Sequence, residues 1–230
     1  MLTSIEVTPS TPEKRIAKIA PALEVFITHR PNDALSAVWK QVLTVMRYGF
    51  CPVVHVPAHF FDHEQTLCTW LMRLHNQGVQ ALCVVRGDGA RQGPFACSLT
   101  VLQQAVCRRF RCWVVAHPHG IGAHAYSYTQ QALLQKLPLA TGVLTQWCLD
   151  TQAIQRVIDR VAPSRPVRVG VCPAMPYVRA LAWARRLRLP DTVHWLENHI
   201  RDNVGKESVL SYHDVLVDIT RAQGGHVFAF

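Results

Sequence analysis

Glu6 is a carboxylate embedded in an apolar setting, Ser4-Ile5-Glu6-Val7-Thr8. Read as a strand, this stretch turns Glu6 to the face opposite Ile5 and Val7. No basic residue lies near it in sequence. Desolvation would raise the pKa of such a lone acid, into the ~6–7 range of a working general acid. The plainer alternative is a structural Glu satisfied by backbone amides or by an Arg from elsewhere in the chain. A second stretch is Ala81 to Val85, an unbroken apolar run that leads into Arg86-Gly87-Asp88-Gly89. Such a run reads as a strand buried on both faces. The glycines let the backbone turn tightly and approach a ligand. Arg86 and Asp88 are then left at the carboxyl end of the strand, where α/β proteins place their ligands; a turn with a surface ion pair is the competing reading. The third group is His117, His119 and His124. HxH spacing at a strand end occurs in metal enzymes. Here no carboxylate or further His pattern recurs at the other expected strand ends, so imidazoles lining a polar pocket are expected and no metal is assigned.

The elements that must position these residues alternate regularly. Eight apolar runs, at 4–8, 22–28, 52–56, 82–85, 112–116, 142–146, 167–171 and 226–230, are separated by helical patterns. Thr11 with Pro12 and Glu13, Asp33, and Ser98 offer helix starts. Gly78 offers a stop. A polar region holds Trp195 and Glu197, and a further helix is expected over 212–222. Eight repeats argue an α/β fold, a single (β/α)8 TIM-type barrel over residues 1–230 that lacks its last outer helix; an open doubly wound sheet is the alternative. In the barrel, one rim collects Glu6, Thr28, His55, Arg86 with Asp88, His117 with His119, Gln146, and Met175 with Tyr177. Burying unsatisfied polar groups costs about 1–3 kcal/mol each, so a complete ring of them points to a ligand site.

The chain has 230 residues, eight cysteines and a formal net charge of +9. The basic residues are spread over helix faces, such as Arg108-Arg109 and Arg185-Arg186. A solvated surface or an acidic small-molecule substrate suits this charge better than nucleic acid. No apolar run reaches the roughly 20 residues of a membrane span, so no membrane association is expected. The start lacks the pattern of a signal peptide. The cysteines include no CxxC, and Cys83, Cys112, Cys148 and Cys172 sit in apolar runs. Reduced core thiols of a cytoplasmic protein are expected. With no outer helix after the eighth strand, Phe228 and Phe230 border an apolar seam, where a second copy or a partner subunit is expected.

Taken in order, these motifs resemble the methylenetetrahydrofolate reductases, flavin-containing (β/α)8 barrels that make 5-methyltetrahydrofolate. Ser4-Ile5-Glu6-Val7-Thr8-Pro9 is similar to the family's opening strand, and Arg86-Gly87-Asp88 to its Arg-Gly-Asp. Phe95-Ala96 stands where a Tyr-Ala pair follows that loop. Ala116-His117-Pro118 resembles Ala-Tyr-Pro, and Leu144-Thr145-Gln146 with Asp150 resembles Ile-Thr-Gln-x-x-x-Asp. The resemblance implies Glu6 as general acid and Asp88 as a charge beside the pterin and flavin rings. It implies Gln146 and Tyr177 as substrate-binding. For FAD it implies Thr28, His55, Arg86, Gly87, Asp88, Phe95, Ala116 and His117, with Lys136 as a phosphate-binding Lys if one gap is allowed. NAD(P)H would be the electron donor.

Several positions depart from the family. His117 replaces a Tyr, Ile121 stands where a cofactor-holding His is usual, and Thr129 replaces an acid that serves the cofactor ribose. These changes fall on the half that grips the dinucleotide tail, whereas the folate and flavin-ring half is intact. A flavin-independent variant is therefore compatible with the resemblance. Two readings from other classes remain: a non-catalytic folate- or pterin-binding or partner subunit without flavin, and a metal-dependent barrel hydrolase.

Overall fold

The computed structural model describes residues 1–88, 90–120, 126–202, 209–210, 219, 222 and 224–228. Eight parallel strands close into a barrel: β1 (Leu2–Val7), β2 (Glu24–Ile27), β3 (Pro52–Pro57), β4 (Ala81–Val85), β5 (Arg111–Ala116), β6 (Gly142–Thr145), β7 (Val167–Val171) and β10 (Gly225–Val227). β10 pairs with both β7 and β1 and so shuts the ring. A two-stranded antiparallel piece, β8 (Met175–Pro176) with β9 (Val209–Leu210), lies outside it. The expected (β/α)8 architecture is therefore observed. The helices are α1 (Glu13–Ile16), α2 (Leu35–Arg47), α3 (Glu64–Asn76), α4 (Ser98–Leu102), α5 (Tyr126–Lys136), α6 (Thr151–Val161), α7 (Tyr177–Arg186) and α8 (Pro190–Asp202).

Strand alternation sorts the side chains into two sets. Val25, Ile27, Val54, Leu82, Val114, Val143 and Val169 point outward and bury against the helices. In α6, Ile154, Val157, Ile158 and Val161 recur at spacings of three and four and supply that helix's buried stripe. The opposite faces of the strands form a smaller inner cluster of Phe26, Val53, Ala81, Cys83, Trp113 and Leu144. The amino end of the barrel is sealed by charge. Arg168 Nη2 lies 2.6 Å from Glu24 Oε2 and Arg111 Nη2 lies 3.1 Å from Glu24 Oε1. The Arg168 guanidinium also rests 4.2 Å from the centre of the Trp113 ring.

Local capping differs from the sequence reading where a tertiary or turn contact captures the side chain. Thr11 accepts from the Thr8 amide at 2.9 Å, so Pro12 takes the cap position of α1. Asp33 is drawn into Arg30, accepting from its amide and its guanidinium at 2.9–3.0 Å, and α2 starts after Ala34. The helix expected from Ser98 to Phe110 splits into α4 and a 3₁₀ turn over Ala105–Arg109, and Cys97 occupies its cap position. The polar region around Trp195 and Glu197 is helical, as α8. Of the helix expected over 212–222, all but residues 219 and 222 lie outside the described residues, as does Phe230. Phe228 turns inward rather than bordering an outer seam: its ring sits 5.1 Å from that of His226, above Gly170.

Two interior glycines make room for aromatic rings. A Cβ at Gly142 would run into the Trp113 ring, and one at Gly170 would overlap both Thr145 O and the Phe228 ring. Because backbone blocks one side of Gly170, Gly170→Ala is expected to destabilise the protein by about 1–3 kcal/mol. Urea denaturation of the two proteins checks this; an unchanged midpoint would show that the β6 backbone and Phe228 both give way without cost.

Candidate active site at the carboxyl ends of the strands

Glu6 leaves β1 on its inner face and its side chain is only 7% exposed. Barrel closure places β2 and β3 on one side of it and β10 on the other. Two imidazoles result: His55 Nε2 lies 3.5 Å and His226 Nε2 3.8 Å from Glu6 Oε1. The expectation of a lone carboxylate is therefore corrected, because residues 49 and 220 positions away in sequence face it across the barrel. His226 had not been marked as a site residue; it is fully buried, and its Nδ1 lies 3.0 Å from Ser4 Oγ. Burial pushes the His55 pKa down, partly offset by the Glu6 charge, with His226 and His29 pushing it further down. His55 is thus held neutral beside an acid.

Next along the rim is a cationic group. Arg86 ends β4, Lys136 ends α5 and His117 follows β5. Burial, then Lys136, then Arg86 lower the His117 pKa to about 4. Burial also lowers the pKa of Lys136. Among the described residues neither Arg86 nor Lys136 forms an ion pair. The loop after β4 is pinned from β3: the His59 amide donates to Arg86 O at 2.9 Å, and the Gln92 amide donates to His59 O at 3.0 Å. Gly87 adopts φ +89°, and a Cβ there would come within 2.9 Å of Pro57 Cβ. A side chain would be strained at this position by both conformation and space. Asp88 is exposed, unlike Glu6, and Gly89 lies outside the described residues.

The third part of the rim lies over β6 and α7. The Gln146 amide nitrogen donates to Ala116 O at 2.7 Å, while its side-chain Oε1 accepts from Trp147 N at 3.1 Å. Asp150 caps α6 by accepting from Ala153 N at 2.9 Å. His119 stands between two carboxylates, 3.4 Å from Asp150 Oδ2 and 4.0 Å from Asp191 Oδ2. Tyr177 stacks on His199 with ring centres 4.4 Å apart, and His199 stacks on Trp195 at 5.0 Å. Asp191, Trp195 and His199 of α8 line a cavity of about 530 Å³ together with His119 and Asp150. These α8 residues were missed by sequence reasoning. The apolar spacing of Val193 and Leu196 was the available signal, masked by the polar residues between them.

The remaining expected site residues divide by strand face. Thr28 sits at the end of β2, and its buried Oγ1 lacks a hydrogen-bond partner among the described residues. Phe95 and the Ala116 side chain are packed into the outer core cluster, 3% and 2% exposed. Only backbone atoms of Ala116 reach the rim. His124 and Ile121 lie outside the described residues. Among the described residues, no group of three His, Cys, Asp or Glu is arranged to hold a metal ion, and no helix is long and apolar enough to cross a membrane.

No protein-family model matches the chain, and no curated protein matches it. The resemblance to the reductases therefore rests on the motifs themselves. Among solved structures, the fold is similar to that of an uncharacterized protein from Clostridium thermocellum that binds two copies of 5-methyl-5,6,7,8-tetrahydrofolic acid. The two share 10% identity with a TM-score of 0.67, over 99% of this chain and 87% of the other. Orotidine 5'-monophosphate decarboxylase from Metallosphaera sedula matches at a TM-score of 0.48 and 13% identity, over 74% of this chain and 78% of that one. At such identities the likeness is one of fold.

The buried imidazoles make stability depend on pH. Native pKa values of His29, His55 and His117 all lie below the ordinary 6.5, chiefly through burial. Between about 6.5 and the 4 of His117, the unfolded chain binds more protons than the native one. Stability is thus expected to fall as pH drops through this window. Thermal melts from pH 7 to 4 should show a falling Tm, with a shallower slope in His117→Gln. An unchanged slope in that variant would mean that His117 titrates normally in the fold.

Proposed function

We propose that this barrel binds a reduced folate at its carboxyl rim and reduces it by the chemistry of the methylenetetrahydrofolate reductases. The observation that carries this reading is Glu6: a carboxylate buried at the barrel mouth, bracketed by two imidazoles, at the position of the family's acid. The folate ligand of the Clostridium thermocellum barrel supports the substrate class. Opening the five-membered ring of 5,10-methylenetetrahydrofolate needs a proton on the leaving nitrogen, and Glu6 supplies it from a carboxyl oxygen. The resulting iminium is cationic, and the charge of Asp88 favours it. Gln146 pairs with the amide edge of the pterin, and Tyr177 covers the ring, already aligned by its stack with His199. The hydride acceptor carbon becomes the methyl group of 5-methyltetrahydrofolate.

The residues fit a phosphate-bearing cofactor such as FAD. Lys136 and Arg86 are cations with no carboxylate partner among the described residues, and both act electrostatically on His117, which is kept neutral. Lys136 and Arg86 would hold the diphosphate, and Thr28, His55, Gly87 and His117 would line the flavin. Bound flavin would relay the hydride from NAD(P)H. One observation favours a second reading, a folate-binding subunit without flavin: Phe95 and the Ala116 side chain, two expected cofactor contacts, are committed to the outer core.

The absorbance spectrum of the purified protein separates the two readings, and calorimetry with 5-methyltetrahydrofolate tests the ligand class common to both. Lys136→Ala is expected to weaken flavin retention by about 10–100-fold, the loss of one charge-assisted contact. Equal flavin content in the variant would remove Lys136 from the cofactor site. In the reductase reading, Glu6→Gln should slow folate reduction by about 10²–10⁴-fold. Flavin reduction by NAD(P)H, which needs no acid, should stay near the parent rate. Stopped-flow absorbance follows each half; parallel loss of both would show that Glu6 only shapes the pocket.

A further inference from the structure

We propose that His226, fixed from behind by Ser4, is the positioning residue of Glu6 and sets the pH at which the Glu6 carboxyl gives up its proton. This deepens the reading of Glu6 as the acid, and its test does not require that reading to hold.

His226 lies in β10, next to β1 in the closed ring. It and Ser4 are both 0% exposed. Its Nδ1 is satisfied by Ser4 Oγ at 3.0 Å. Its ring is packed edge-on against Phe26, with centres 4.6 Å apart, and against Phe228 at 5.1 Å. An imidazole held in this way has one polar direction left. Nε2 is buried, has no hydrogen-bond partner among the described residues, and faces Glu6 Oε1 at 3.8 Å. At that separation the contact is electrostatic rather than a formed hydrogen bond, and a small approach of either side chain completes it.

Among the described residues, the titratable groups that face Glu6 come from three strands. His55 of β3 approaches from the mouth side, 12% exposed. Cys83 of β4 is buried, its thiol pushed up by burial and by Glu6, so it stays neutral. His226 of β10 closes the inner side, and His29 acts on His55. The two imidazoles therefore have different access. His55 retains 12% exposure, whereas His226 is fully buried with its ring held from behind by Ser4. We assign the Ser4 hydroxyl as the donor in its 3.0 Å contact with Nδ1, the tautomer that places the hydrogen of His226 on Nε2, toward the carboxylate. That arrangement favours the charged form of Glu6 and opposes the effect of its burial. Removing it leaves a buried carboxyl that keeps its proton to higher pH.

The test is the titration of Glu6 in ligand-free protein labelled with ¹³C-carboxyl glutamate. Its resonance is identified as the one lost in Glu6→Gln. His226→Phe is expected to raise the Glu6 midpoint by about one pH unit or more. Ser4→Ala, which frees the tautomer but keeps the ring packing, should raise it by less. His226→Gln, which can still present an N–H to Glu6, should restore a midpoint near the parent value. An unmoved or lowered midpoint in His226→Phe or in Ser4→Ala overturns the assignment, as does a Gln variant that titrates like the Phe variant. Should His226→Phe not fold, Ser4→Ala decides. No substrate is added, so a protein that never reduces a folate still passes or fails this test. Absent folate reduction alongside the expected midpoint shifts counts against the proposed reaction and leaves His226 assigned.

Discussion

The carboxylate of Glu6 is the constraint on which the carboxyl half of the barrel depends. An ionised acid placed among apolar side chains without compensation costs several kcal/mol or takes up a proton. The structure meets that cost from two directions, through His55 on one side and through His226, backed by Ser4, on the other. Neither partner is near Glu6 in sequence. Both are delivered by ring closure, so the local polarity of the site depends on β10 joining β1. Anything that opened that seam would strand a buried acid as well as break a strand pair.

The two ends of the barrel handle charge in opposite ways. At the amino end, Glu24 is paired with both Arg111 and Arg168, and the Arg168 guanidinium also rests over the Trp113 ring. The cations Arg86 and Lys136 are left without carboxylates among the described residues, and with burial they keep His117 neutral. Charge is thus paired at one end of the barrel and, among the described residues, left unpaired at the other, and the inner cluster that includes Phe26 and Trp113 fills the interior.

The rim itself has two compartments. One is the acid compartment over β1, β3 and β10. The other lies under α8, where Tyr177, His199 and Trp195 form a near-parallel stack and His119 stands between Asp150 and Asp191. Tyr177, the first residue of α7, joins this second compartment through its stack with His199. The stack also limits the motion of Tyr177, so its ring is set before any ligand arrives.

Much of the fold was legible in the sequence because it depends on short-range pattern. The eight apolar runs, their alternation with helices and the Arg-Gly-Asp turn all follow from periodicity and from the conformational freedom of glycine at positions such as Gly87. The strand that carries Glu6 was equally legible. Helix starts at Thr11 and Asp33 were not, since those side chains found closer partners in Thr8 and Arg30. Nor could the sequence determine which polar residues meet. Strand parity points Glu6, His55 and His226 inward, but only a closed ring turns three inward directions into one cluster. Parity likewise withdraws the Ala116 side chain from the rim, and packing withdraws Phe95. The sequence by itself determined the elements and the residues offered for chemistry. The tertiary structure decided which of them share a site, because distance across a barrel is set by closure and register and not by separation along the chain.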